Sequence, residues 1–197
     1  MIKLPQPQTD GTMSLENAIS QRRSHRIFSS KPLSLAAAGQ LLWAGQGITG
    51  KRGRRTAPSA GALYPLELYL VAGLVDSLDS GIYHYLPDGH SLKQISKGDF
   101  RQKLAGAALQ QTSVADCAAI VVLSGVKERT SKKYGRRAVQ YIMIEAGHTG
   151  QNISLQAETL DLGTVVIGAF DDEKLKKLIQ MPPEEQPISL MPVGYVR

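Results

Sequence analysis

The chain has 197 residues, 42% of them apolar and 20% charged, with 23 basic against 17 acidic side chains and a single cysteine, Cys117. That suffices for one well-cored domain or two small ones; it excludes an internal disulfide framework, and no apolar run approaches the roughly 18 residues of a membrane span. The net charge of +6 favours anionic ligands, phosphates, nucleic acid or a membrane surface without choosing among them. Because Met1–Gln8 lacks the apolar core of a signal peptide, a soluble cytoplasmic protein is the default expectation.

Residues 1–13, with Pro5, Pro7 and Gly11, read as an extended N-terminal arm able to lie across a partner. Ser14 is placed to cap a helix in which Leu15, Ala18, Ile19 and Arg22 follow at helical spacing. That helix delivers Arg22-Arg23-Ser24-His25-Arg26. On a helix or its last turn, Arg22 and Arg26 project the same way, and two guanidinium forks can share one phosphate or carboxylate. The alternative is a solvated basic helix end, since cations favour a helix C-terminus by about 0.3–1 kcal/mol. Ser34 caps a second helix with Leu35, Ala38, Leu41, Leu42 and Gly45 toward a core and Trp43 on its flank. From Gly45 to Gly61 runs a glycine-rich basic loop. Its Lys51–Arg55 charges admit three readings: a solvated loop, a nucleic-acid patch, or a rim that attracts a phosphate-bearing cosubstrate. No aromatic residue interleaves them, so the base-stacking half of a single-strand-binding signature is missing and nucleic acid is disfavoured as a partner.

Pro65–Gly73 reads as a strand, followed by Gly81–Leu86, a turn at Pro87-Asp88-Gly89, and a short strand Leu92–Ile95, an antiparallel excursion. His84 fits a half-exposed sheet position, His90 lies in the turn, and neither has a partner at metal-ligand spacing, so no metal is expected. Asp99 caps a helix through Gln110, and Ala118–Ser124 forms a buried strand with Cys117 packed at its mouth. Arg136–Leu160 carries the strongest helical pattern, a stripe of Val139, Ile142, Met143, Ala146, Gly150, Ile153, Ala157 and Leu160 with apolar residues on other faces as well. It reads as a central core or dimer helix buried on most sides, with His148 as a satisfied core histidine or, alternatively, a catalytic base. Gly163–Gly168 follows as a strand, Asp171–Gln180 as a charged helix, and Pro187–Gly194 as the last strand. Irregular alternation with a hairpin indicates one α+β domain over residues 1–197, without repeats.

Several catalytic signatures are absent: no Gly-x-Gly-x-x-Gly after a strand, no phosphate-loop lysine, no His-Glu-x-x-His, no Gly-x-Ser-x-Gly. What remains matches a family in order along nearly the whole chain: Arg22-Arg23-Ser24-His25-Arg26, Leu41-Leu42-Trp43-Ala44, Pro58-Ser59-Ala60-Gly61-Ala62-Leu63-Tyr64-Pro65-Leu66-Glu67, Lys133-Tyr134-Gly135, Glu145-Ala146-Gly147-His148 with Gln151-Asn152, and Val193-Gly194-Tyr195. The chain resembles the nitroreductase family and, within it, the branch of SagB-type dehydrogenases that oxidise azolines to azoles.

The resemblance implies a nitroreductase-like fold, a mixed or antiparallel central sheet flanked by helices, in an intertwined homodimer with two FMN sites at the interface. By family position Arg22 takes the phosphate, Arg23 and Ser24 the ribityl chain, and Arg26 the N1 and C2 carbonyl edge of the ring, where a fixed cation favours the reduced anionic flavin. Pro58, Ser59 and Ala60 match the turn that reaches the other subunit's flavin, with Ala62 where most nitroreductases carry asparagine. Ile167, Gly168 and Ala169 fall where a backbone amide points at N5, with Gly168 replacing an acidic residue common in the nitro-reducing branch. Gln111 is either a ligand of the pyrimidine edge or an ordinary helix-end glutamine. Arg197 is the candidate for the phosphate contact that relatives make from a basic tail.

Lys133 and Tyr134 match a pair proposed in azoline-oxidising relatives to remove a proton while the flavin takes a hydride, against the alternative of a charged helix start. The implied activity is ping-pong hydride transfer at flavin N5. It serves either reduction of small electron-poor acceptors by NAD(P)H or dehydrogenation of a heterocycle with a partner cyclodehydratase. The rival from another class is a basic, non-catalytic module for phosphates or nucleic acid.

Overall fold

In the computed structural model, which describes residues 1–197, the elements run β1 (Ile2–Lys3), α1 (Leu15–Gln21), α2 (Leu35–Gln46), β2 (Ile48–Gly50), β3 (Arg54–Arg55), β4 (Leu66–Ala72), β5 (Gly81–Leu86), β6 (Ser91–Lys97), α3 (Arg101–Ala107), α4 (Thr112–Ala115), β7 (Ala119–Val126), α5 (Lys127–Tyr134), α6 (Ala138–Glu158), β8 (Leu162–Thr164), α7 (Asp172–Ile179) and β9 (Glu185–Tyr195). Seven strands form one sheet in the order β1-β6-β5-β4-β7-β9-β8, each neighbouring pair antiparallel, while β2 and β3 make a separate hairpin. Strand alternation divides two cores. Leu66, Leu68 and Leu70 of β4 with Val121 and Leu123 of β7 face α2 and α6. Tyr69 and Val71 with Ile120 and Val122 face α3, α4 and α7. Helices on both faces explain why all of β7 is buried and reads as a continuous apolar run.

The caps predicted from sequence close as hydrogen bonds: Ser14 Oγ accepts from Asn17 N at 3.2 Å, Ser34 Oγ from Ala37 N at 3.1 Å, and Asp171 Oδ1 from Lys174 N at 3.0 Å. The N-terminal arm is extended and lies on its own chain. Ile2 pairs with Leu92, Leu4 is buried, and the amide of Gln8 bonds the Gln40 side chain at 2.9 Å.

Three expectations need correction. The helix from Asp99 stops at Ala107, where Leu109 and Gln110 turn to φ 55° and 59°, and Asp99 binds the Arg101 guanidinium as well as its amide. The strand from Gly163 to Gly168 ends at Thr164. On α6, Val139, Met143 and Ile144 are exposed, and so is His148, which is no core histidine.

Glu185, 3% exposed, opens β9 and accepts hydrogen bonds from the hydroxyls of Ser124 and Tyr69. Burial pushes its carboxyl above the usual range, against the pull of those two bonds. A carboxyl whose folded pKa is raised contributes stability that is fully present below its unfolded value near 4.3 and is lost as pH rises through the folded value. Glu185→Gln is therefore expected to melt progressively higher than the parent as pH climbs from about 4.3, the gap levelling off above the folded pKa. A gap that stays constant from pH 4 to 8 in thermal melts refutes this.

Candidate functional site

Helix α1 ends at Gln21, and Arg22 leaves it with ψ 121°, so extended-chain alternation, not a helical face, relates Arg22, Ser24 and Arg26. The segment is laid across the sheet edge. Ser24 bridges Thr164, His25 N donates to Thr164 O at 2.9 Å, Phe28 bridges Val196, and Ser29 N donates to Tyr195 O at 2.8 Å. Gly163 permits this approach: a Cβ there would stand 2.7 Å from His25 Cβ and 2.6 Å from Val196 Cγ2. Gly163→Ala is thus expected to cost about 1–3 kcal/mol by overpacking and to lift the arginine segment. Lower thermal stability together with faster amide exchange at His25 checks it; an unchanged His25 amide contradicts it.

The arginines differ in what they hold. Arg23 is engaged, its Nη1 donating to Ser20 O at 2.9 Å and Arg22 O at 2.8 Å, which satisfies carbonyls at the end of α1. Its amide meets Glu158 at 3.1 Å. Arg22 and Arg26 join none of the four ion pairs of the chain and remain uncompensated cations. The Phe28–Val196 bridge continues by register to set exposed Arg197 opposite Ile27, beside Arg26.

Between β8 and α7 the chain touches the sheet at Ile167, whose amide donates to Leu190 O at 2.8 Å. The amides of the next two residues, Gly168 and Ala169, donate to no protein acceptor, and nothing lies within 4 Å of where a Gly168 Cβ would be. Gln111, the residue before α4, donates from Nε2 to Ala169 O at 3.3 Å. Between loop and arginines the buried Thr164 Oγ1 has no partner. Thr164 opposes Val193 and Ile167 opposes Leu190, so three residues of β9, about 10 Å at strand rise, separate the two groups.

A second cluster forms on the Pro58–Tyr64 turn. Ser59 Oγ accepts from Tyr64 N at 2.9 Å, and Gly61, Ala62 and Tyr64 take φ of 64°, 55° and 45°. Arg129 of α5 donates to Tyr64 O at 3.0 Å and pairs with Glu67, which also meets His84 Nε2 at 2.8 Å. Burial raises the Glu67 carboxyl, but the His84 bond and the Arg129 charge outweigh it and hold it below the usual range. Lys133 and Tyr134 close α5 rather than start a helix, and their heads converge on Gly61: a Cβ there would lie 3.0 Å from Tyr134 Oη and 3.1 Å from Lys133 Nζ. The Tyr134 ring meets Tyr141 edge-on at 4.9 Å.

The structure therefore gathers the predicted residues into two groups: Arg22, Arg23, Ser24, Arg26, Gln111, Ile167, Gly168, Ala169 and Arg197 in one, and Pro58, Ser59, Ala60, Lys133 and Tyr134 in the other. Within one chain they do not meet. The turn enters the sheet where Leu66 opposes Gly125, beside Gln186, and the arginines lie beside Val193, about 23 Å away along β9 at strand rise. A cleft of about 420 Å³ between the arm, α1, α2 and α6 contains neither group, and its amides are mutually bonded, Gln40 to Gln156 and Asn152 to Ala44 O. Sequence reasoning gave Glu145 no role, though its buried carboxylate accepts the Ala60 amide at 2.8 Å. An acidic residue among small core residues of α6 was the available signal.

A model described as Nitroreductase family matches residues 19–195. A candidate nitroreductase of Methanocaldococcus jannaschii, MJ1384, is 40% identical over 182 residues, 92% of this chain and 91% of that protein. The microcin B17-processing protein McbC of Escherichia coli is 26% identical over 135 residues; the match takes in 65% of this chain and only 49% of McbC. A crystal structure of a candidate nitroreductase from Ralstonia eutropha JMP134 superimposes with a TM-score of 0.86 at 26% identity, covering 100% of this chain and 89% of that one.

Proposed function

The chain belongs to the nitroreductase family, and from that premise we propose that it is an FMN-dependent oxidoreductase, active as a homodimer, that uses NAD(P)H in a ping-pong cycle to reduce small electron-poor acceptors. The observation that carries this reading is the pair of uncompensated guanidiniums, Arg22 and Arg26, joined through the Ser24–Thr164 bridge to a loop whose Gly168 and Ala169 amides lack acceptors. Cations at one end and outward amides at the other fit a ligand with a phosphate and a planar, hydrogen-bonding ring system. When bound, FMN supplies hydride exchange at N5.

The chain's own residues do the rest. Arg22, joined by Arg197, holds the phosphate with charge-assisted bonds, and Ser24 takes the ribityl hydroxyls. Arg23 contributes by keeping the end of α1 in place, since its guanidinium is spent on Ser20 and Arg22 carbonyls. Arg26 sets a fixed positive charge at the pyrimidine edge. Gly168 and Ala169 donate backbone hydrogen bonds to the ring, and Gln111 braces that loop through Ala169 O. Pro58, Ser59 and Ala60 of a second copy complete each site, with the Lys133 and Tyr134 heads arriving on the same turn to hand a proton to, or take one from, the substrate. Exposed Leu15, Ile19, Val139, Met143 and Ile144 on the adjacent α1 and α6 give the second copy an apolar surface to cover.

The convergence of Lys133 and Tyr134 on Gly61, together with the likeness to McbC, favours a second reading: dehydrogenation of an azoline to an azole, with a partner cyclodehydratase making the ring. The purified protein is expected to be yellow and to release FMN on denaturation, and anaerobic NAD(P)H titration separates the readings. Bleaching supports the reductase, indifference to nicotinamide supports the dehydrogenase, and a colourless protein with no releasable flavin rejects both.

A further inference from the structure

We propose that Glu145 is a positioning residue: by holding the Ala60 amide from inside α6, its carboxylate fixes Gly61 beneath Lys133 and Tyr134 and so sets where that pair works. Its bearing on turnover rests on the proton-handling reading of the pair.

Glu145 is 4% exposed in the middle of a helix, yet it belongs to no ion pair. Burial raises its carboxyl above the usual range; the Ala60 amide, the Ser59 hydroxyl lying against it and, last, His148 one turn further along α6 work in the other direction. His148 is exposed, so the charge is left to the neutral Ala60 amide of the turn, with the Ser59 hydroxyl nearby. An uncompensated buried carboxylate is among the most costly groups a core can carry, and a neutral residue would fill this place on α6 more cheaply. What the carboxylate supplies is tension on a turn that needs it. Ala62 and Tyr64 both occupy left-handed backbone at φ 55° and 45°, a conformation that persists only where surroundings enforce it.

The turn is held within itself by Ala62 N on Ser59 O at 3.0 Å and Tyr64 N on Ser59 Oγ at 2.9 Å, and from outside by Ala60 N on Glu145 Oε1 at 2.8 Å, Arg129 on Tyr64 O at 3.0 Å and the Arg55 amide on the Tyr64 hydroxyl at 3.3 Å. Of these, only the Glu145 bond ties a neighbour of Gly61 to another element, and the Tyr134 and Lys133 heads stand 3.0 and 3.1 Å from where a Gly61 Cβ would be. Carboxylate, Ala60 amide and Gly61 thus lie in sequence beneath the space the two heads enclose.

The test compares Glu145→Ala and Glu145→Gln as flavin-loaded proteins, read by amide exchange over residues 59–64 and by turnover on whichever substrate class, nitroaromatic or azoline, slows in a Lys133→Ala, Tyr134→Phe protein. Glu145→Ala is expected to speed exchange at Ala60 at least about tenfold and to lower kcat about 10–100-fold with KM little changed. Glu145→Gln, whose side-chain oxygen still accepts from Ala60, is expected to recover both to within about fivefold. In the Lys133→Ala, Tyr134→Phe background, Glu145→Ala should add almost nothing to the loss. If Glu145→Ala does not fold, Glu145→Asp, one methylene short of the turn, takes its place with the same expectation. Unchanged exchange at Ala60 overturns the proposal, as does a full additive loss in the double background. If the Lys133→Ala, Tyr134→Phe protein turns over both substrate classes at the parent rate, the reading of the pair fails and the catalytic consequence of Glu145 with it, whereas exchange at Ala60 reports separately on the hold.

Discussion

A Met143→Asp, Ile144→Asp protein is expected to be a folded monomer that no longer retains flavin. Met143 is 51% exposed and Ile144 48%, beside Val139 at 45%, all on a helix that also carries buried Ile142, Ala146 and Ile153. The adjacent α1 adds Leu15 at 61% and Ile19 at 55%. Because the two substituted side chains touch solvent in the single chain, carboxylates there leave its own core intact. In a dimer that covers this face, desolvating two unpaired carboxylates costs about 4 kcal/mol or more, a thousandfold or greater rise in the dissociation constant. On the proposed composite site flavin retention should fall with it, since the Pro58–Ala60 turn and the Arg22–Arg26 segment lie about 23 Å apart along β9 in one chain and would share a site only across two. Sedimentation velocity, circular dichroism and released flavin give the three readouts. A dimer that persists, or a monomer with full flavin content, refutes the composite site.

The same face shows where the sequence was legible and where it was not. Local signals carried α1, α2 and α7, because Ser14, Ser34 and Asp171 cap them and caps are encoded within three residues. Alternation carried β4 and the β5–β6 hairpin. Periodicity could not separate an apolar residue that meets its own core from one left facing solvent, so Ile142 and Met143 read alike on α6 although only the first is buried. Helix α5 has the opposite character. It is strongly polar with only Thr130 buried, has no apolar stripe to announce it, and is held by Arg129 reaching Glu67 and Tyr64 O. The site residues were legible through likeness to a family, since Arg22 and Arg26 by themselves fit a solvated helix end equally well. The structure lays the two arginines on the sheet edge without a carboxylate partner and turns Arg23, identical in chemistry, back onto its own helix.

Lys133→Ala and Tyr134→Phe are expected to separate the two proposed reactions. Removing a positioned proton donor or acceptor costs about 10²–10⁴-fold when proton transfer at carbon accompanies the redox step, because water cannot deliver a base of suitable strength to that point. Aromatising an azoline requires such a transfer: one ring C–H bond breaks as hydride, another ring proton must be removed, and only then is the azole complete. Reducing a nitro group places protons on oxygen and nitrogen, which solvent exchanges rapidly, so the same substitutions should cost less than about tenfold there. Lys133 is exposed and Tyr134 half-buried, and both join the turn only through their heads over Gly61, so neither change should alter flavin content or melting temperature appreciably. A loss of about 10²–10⁴-fold with an azoline and little with a nitroaromatic assigns the pair to dehydrogenation. Equal small effects on both would leave Lys133 and Tyr134 as a solvated end of α5, and the work of the site to Arg26 and the Gly168 and Ala169 amides alone.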